Sequence, residues 1–316
     1  MLSARLVSVV APLLALSTQS TALRIGACAP STTSARSGVA RMQTATATKS
    51  STEVQSLLDA NRALVDSLGS IAPELPELTR LRFALAFPAQ AEAQSAVRET
   101  IAWRAGAGRS IVESAAEAVA KATAGGGWDN KAVRAAAPHA AAINQFITPE
   151  NIMTISTNAG DLVYVIRASL IDDKKLMDKV SVNQLTDFLL YVKEVHSLVV
   201  NARSERSGRF CNVVFANDIS GTRKAPDARF SKALTESSKS YEKLYPSLAG
   251  PTMILNLPFV LQAFVGLFKP LFPKTVRARL KFESAPVLAK LKTLTPLTTD
   301  ASSRTSFLAE VDKLLR

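Results

Sequence analysis

Two cysteines, Cys28 and Cys211, and two histidines, His139 and His196, are all that this chain of 316 residues offers of those types. With Cys28 in a segment read below as a removable leader, one thiol remains, and a disulfide-stapled scaffold is excluded. Cys211 lies in the apolar strand pattern FCNVVF and reads as a small buried hydrophobe. The chain has no CxxC and no HExxH, and His139, beside Pro138 among alanines, has no ligand at metal spacing. It reads as a surface or capping residue, and His196 as a solvent-edge or satisfied core histidine. Phosphate-cradling patterns, GxxxxGK[ST] or GxGxxG after a strand, are missing, as is the G-x-S-x-G elbow. A Ser/His/Asp triad has little material to work with. The chain is therefore expected not to be an enzyme and to need no cofactor or metal. Aromatics make up only 6% of the residues, and no basic tract is interleaved with Tyr or Phe that could stack bases, so nucleic acid is not an expected partner.

No Asp or Glu occurs before Glu53. Arg5 precedes the apolar run LVSVVAPLLAL and the small residues STQSTA, the grammar of a secretory signal. The following Ser-, Thr-, Ala- and Arg-rich stretch, free of acids, reads as a transit peptide. A signal followed by a transit peptide resembles the bipartite leader of proteins sent to plastids enclosed by extra membranes; secretion with a linker is the alternative. Residues 1–50 are therefore set apart from the fold. Their loss removes Arg5, Arg24, Arg36, Arg41 and Lys49 and takes the formal charge from +12 to about +7.

The full chain is 47% hydrophobic, ample for a core, and basic, with a pI near 9.9. Such a chain favours anionic partners, here an anionic membrane surface. Residues 51–125 read as a helical lobe: Val54, Leu57, Leu58, Leu64, Val65 and Leu68 recur at helical spacing, later helices follow, and the run Gly125, Gly126, Gly127 closes the lobe. After Gly160 the period changes. Strands are expected at residues 162–168, 210–216 and 252–257, with helices at 182–201 and 228–244 between them, an arrangement that calls for βαβ units and a partly parallel sheet. Residues 304–316 read as an amphipathic docking helix, so residues 126–316 form the second domain.

The most unusual stretch is 241–282. Within it, residues 258–268, PFVLQAFVGLF, are apolar nearly all round, so a helix there must be buried in protein or face lipid. It is too short to span a bilayer, which takes roughly 20 residues.

Four matches, in order and spacing, resemble the CRAL-TRIO family of lipid carriers for phosphatidylinositol, phosphatidylcholine, tocopherol and retinal. They are RETIAWR ending at Arg104, DLVYVIRA from Asp161, LYP at Leu244 to Pro246 with Asn256 and Pro258 beyond it, and GLFKPLFPKTVRARLKF ending at Phe282. The resemblance implies an α/β fold: an N-terminal helical lobe, then a pocket floored by a mostly parallel sheet, walled by helices and closed by a gate helix. The gate and apolar pocket would include Phe259, Leu261, Phe264, Val265, Leu267 and Phe268. In the phosphoinositide-binding branch a Glu and a Lys contact the headgroup, which map to Glu236 and Lys269. A Lys232–Glu236 surface pair is the alternative for the first of these. The family's basic Arg-x-Arg-Lys run is replaced here by Phe83, Ala84, Leu85, Ala86 and Phe87.

Opening the gate in water would expose Phe259, Phe264, Leu267 and Phe268, on the order of 6 to 12 kcal/mol in all. At a membrane they could enter the interface while Lys274, Arg277, Arg279 and Lys281 meet anionic headgroups. The expected activity is binding and non-vesicular transfer of one phospholipid or other hydrophobic molecule, by a protein expected to be monomeric. A lipid-sensing or protein-binding scaffold without transfer is the alternative.

Overall fold

The computed structural model describes residues 51–218, 226–255, 280–281, 305 and 309. The leader, the gate and most of the expected C-terminal helix lie outside them, although Thr305 and Ala309 are helical.

The chain enters α1 (Glu53–Gly69) through Thr52, whose hydroxyl accepts the Gln55 N–H and so satisfies one of the first-turn donors. Helices α2 (Glu77–Ala86) and α3 (Gln90–Ala105) fold back on it. Leu58, Val65 and Leu68 of α1, Leu78, Leu81 and Phe83 of α2, and Ala93 and Val97 of α3 bury one another in a core of their own. Helix α4 (Arg109–Thr123) belongs elsewhere: its Ile111, Ala115, Ala118 and Ala122 join a second, larger core. The short α5 (Asn130–Ala136) and α6 (Ala140–Ile143) follow, with His139 at φ 58° as the N-cap of α6.

Among the described residues the sheet has five strands in the order β1-β2-β3-β4-β5. Strand β1 (Ile152–Ser156) pairs antiparallel with β2 (Leu162–Arg167). From β2 onward, β3 (Val213–Asp218), β4 (Ala249–Leu255) and β5 (Leu280–Lys281) run parallel. Between β2 and β3 come α7 (Asp173–Met177) and the 26-residue α8 (Val182–Ser207). A capping box of Ser181 and Gln184 starts α8, and Gly208, at φ 70°, ends it. A side chain there would be strained, and its Cβ would lie 2.5 Å from Thr52. Helix α9 (Ala228–Leu244) joins β3 to β4. Parallel crossovers are right-handed almost without exception, so a strand order that advances in one direction puts α8 and α9 on the same face of the sheet. Their packing agrees: Leu162, Tyr164 and Ile166 of β2 and Val213 and Phe215 of β3 share the larger core with α4, α8 and α9.

The strand boundaries differ from the sequence expectation in three ways. Strand β1 was not expected. The strand expected from residue 210 begins at Val213, because residues before it are held in a turn, with Cys211 N–H on Ser204 Oγ at 2.9 Å and Asn212 N–H on Asp161 Oδ1 at 2.7 Å. The strand expected at 252–257 is already formed at Ala249, in register with Val213.

The two cores meet through Arg82 of α2, which is 2% exposed. Its guanidinium donates to Asn201 Oδ1 of α8 at 2.8 Å, to the Ser247 carbonyl before β4 at 2.7 Å and to the Cys211 carbonyl before β3 at 2.8 Å. It also lies 4.4 Å from the centre of the Phe210 ring. One side chain thus ties α2 to the end of α8 and to the approaches of two central strands. Replacing Arg82 by Ala leaves two carbonyls and an amide without their donor, and is expected to cost on the order of 3–5 kcal/mol in urea denaturation. Arg109→Ala, which breaks only the exposed Arg109–Glu113 pair at 2.8 Å, is the control and should cost less than about 0.5 kcal/mol. Equal costs for the two variants would dismiss the tie.

Candidate functional site

Side chains alternate across a strand, so the residues skipped by the helix-side core define the other face of the sheet. They are Met153 and Ile155 of β1, Val163 and Val165 of β2, Val214 and Ala216 of β3, and Met253 and Leu255 of β4, joined across the strands by the registers Met153↔Val165, Val165↔Ala216 and Ala216↔Met253. All eight are apolar and buried, and none belongs to either helical core. At the carboxyl ends of β2 and β3 this face turns polar. Arg167 and Asp218 stand opposite each other in register, 3.6 Å apart and buried, and Arg167 also donates to the Glu150 carbonyl at 3.1 Å. An apolar floor with one charged end, at the carboxyl ends of parallel strands, is where an open α/β sheet takes a ligand. It suits an amphipathic molecule.

The helix side of the sheet carries a seam of buried polar groups. His196 of α8 meets the Thr154 hydroxyl at 2.9 Å and packs edge-on against Tyr164, with ring centres 5.0 Å apart. Lys193 donates to the Ser237 carbonyl of α9 at 2.9 Å and sits 5.1 Å from the Tyr241 ring centre. Burial pulls the Lys193 ammonium down to about 7, with Glu242 opposing. Burial, aided by the charge of Lys193, takes the His196 imidazolium down to about 3. The same desolvation raises the phenols of Tyr164 and Tyr241. His196 is thus a satisfied core histidine; this resolves the two options its sequence context left open.

A cleft of about 200 Å³ separates the helical lobe from α8 and the turn after α9, with Leu75, Arg82, Thr100, Glu194, Leu198 and Tyr245 among its walls. Two of the recognised motifs converge there. Arg104, the last residue of RETIAWR, holds Glu194 through two hydrogen bonds of 2.9 Å, and Tyr245 of LYP lines the same space. Thr100 of RETIAWR reaches the Lys243 carbonyl at 3.4 Å. The motif DLVYVIRA is β2 itself.

Of the residues singled out from the sequence for headgroup binding, Glu236 is on α9, half-exposed and 3.6 Å from Lys239 rather than paired with Lys232. Lys281 is in β5, opposite Met253. Phe259, Leu261, Phe264, Val265, Leu267, Phe268, Lys269, Lys274, Arg277 and Arg279 lie outside the described residues. Sequence reading missed Arg82, Lys193, Glu194 and the Arg167–Asp218 pair. Only the last had a local signal, an Arg at the end of an otherwise apolar strand. Among the described residues no group of three or more His, Cys, Asp or Glu could hold a metal ion, and no helix is long and apolar enough to cross a membrane.

Residues 151–297 match the family model of the CRAL/TRIO domain, a span that opens at β1 and includes the whole described sheet. No curated protein matches the chain.

Lys193 and His196 both fold preferentially as neutral groups, so the unfolded chain binds more protons between each folded and unfolded pKa, and stability rises with pH across those windows. For His196 the window runs from about 3 to 6.5, and for Lys193 from about 7 to 10.5. Above about pH 10 the buried phenols act in the opposite sense, since only the unfolded tyrosines ionise. Urea denaturation from pH 7 to 9.5 should therefore show the protein gaining stability. Lys193→Met, which keeps the aliphatic stem, should flatten that rise; a rise of equal size in the variant would assign it to another group.

Proposed function

Since the chain belongs to the CRAL/TRIO family, whose domain serves the binding or transfer of hydrophobic ligands, we propose that it binds one phospholipid on the apolar face of its sheet and carries it between membranes. The observation that carries this reading is that face: eight apolar side chains on four strands, ending at a buried ion pair. An acyl chain would lie along Val163, Val165, Val214 and Ala216. Residues 258–268 would serve as the movable gate to the ligand and yield at a membrane, while Lys274, Arg277, Arg279 and Lys281 meet anionic headgroups. Phosphatidylinositol is the headgroup proposed, held by Glu236 and Lys269, with Glu236 leaving Lys239 to do so. The place of action proposed is the plastid, reached through the leader in residues 1–50.

Native mass spectrometry of the purified protein should show one co-purifying lipid. Ala216→Phe, which puts a ring on the floor, should lose it while keeping a cooperative unfolding transition. Phe264→Asp with Phe268→Asp should abolish transfer between liposomes, and Glu236→Ala should reduce any preference for phosphatidylinositol over phosphatidylcholine. A protein that never carries lipid, or an Ala216→Phe variant that carries it undiminished, would refute the binding reading. Binding with no transfer in the wild-type protein would replace carriage by lipid sensing.

A further inference from the structure

The cleft between the two cores shares no residue with the apolar sheet face, and its chemistry is different. We propose that it is a second ligand site, for a small carboxylate bearing a short apolar chain. Arg82 carries the argument. It lines the cleft, is 2% exposed, and spends its contacts on an amide oxygen and two carbonyls, none of which has a charge. A guanidinium has five N–H donors, so two remain uncommitted after those three bonds. A buried cation whose hydrogen-bond partners are all neutral gains from an added anion.

The rest of the lining selects among anions. Arg104 and Glu194 neutralise each other through their bidentate bond, and Glu205 stands exposed at the rim, so the buried charge of the cleft is that of Arg82 alone. That balance fits a monoanion. A phosphate dianion would bring excess negative charge beside Glu194. Hydroxyls of Thr79 and Thr100 line the same space, as does Tyr245, whose buried hydroxyl lies beside Glu194. Leu75, Phe83, Leu198, Leu244 and Leu248 supply an apolar wall for a short chain. A volume of about 200 Å³ admits such a molecule and is far too small for a diacyl lipid.

Sodium butyrate is the probe, titrated into the full chain by calorimetry with ionic strength held constant by sodium chloride. Saturable binding with one site is expected. Leu198→Trp, which fills the cleft, and Ala202→Phe, which blocks its exposed mouth without touching either core, should each weaken binding at least about tenfold, the equivalent of one lost charge-assisted hydrogen bond. The Ala202→Phe result stands even if Leu198→Trp does not fold. No heat beyond that of chloride, binding that survives Ala202→Phe, or inorganic phosphate binding as tightly as butyrate would each overturn the assignment. The amount of co-purifying lipid should be the same in Ala202→Phe as in the wild type, so failure here is separable from failure of the lipid reading.

Discussion

Right-handed crossovers acting on a strand order that never reverses put α8 and α9 on one side of the sheet. In a doubly wound sheet the order reverses and helices cover both faces. Here α8 and α9 both fall on the face of Leu162, Tyr164 and Phe215, and the opposite face must be covered by something other than a βαβ crossover. Its residues are nevertheless as apolar as a protein interior. Exposing such a face to water would cost about 25 cal/mol per Å². A face that α8 and α9 leave to other parts of the chain, with an apolar lining, is what suits this side of the sheet to the ligand floor proposed above.

The same constraint loads the helix side. With α4 and α9 both packed against it, α8 is enclosed for most of its length. Lys193, Glu194 and His196 therefore have no solvent to point into and are satisfied inside, by the Ser237 carbonyl, by Arg104 and by Thr154. The helical lobe is joined to this assembly by Trp103, which packs against the larger core, by Phe210, which packs against the lobe's own, and by polar contacts. Arg82, the Arg104–Glu194 pair and the Thr100 hydroxyl supply the latter. Hydrogen bonds are directional, so these contacts fix the lobe in one orientation and leave space between the bonded groups, which is the cleft.

Periodicity made the helices of the lobe and the α8 and α9 crossovers legible from sequence, because each carries an apolar stripe that repeats every three or four residues. Strand β1 escaped because an edge strand needs only half its residues apolar: Thr154 and Ser156 are exposed while Met153 and Ile155 are buried. Arg82 escaped for a different reason. An arginine between Leu81 and Phe83 reads locally as the solvated side of an amphipathic helix. Its acceptors lie 119, 129 and 165 residues away in sequence, so nothing nearby announces them. The apolar floor was legible as three hydrophobic strands, but which half of each strand faced it was set by register, which the sequence pattern does not carry when both faces are buried.

The lobe's departure from the pattern of the family it resembles also gains a physical reason. Where the resemblance leads one to expect a basic run, Phe83, Ala84 and Ala86 are buried, and Leu85 and Phe87 pack against the lobe's own core. A phosphate-pairing arginine at Ala84 or Ala86 would have to be desolvated or would pry α2 from its neighbours. The lobe in this chain is committed to packing and to gripping α8 and the strand approaches through Arg82. Under the lipid reading, headgroup recognition then falls to residues outside the lobe such as Glu236 of α9, a half-exposed carboxylate whose partner, Lys239, makes only a surface pair.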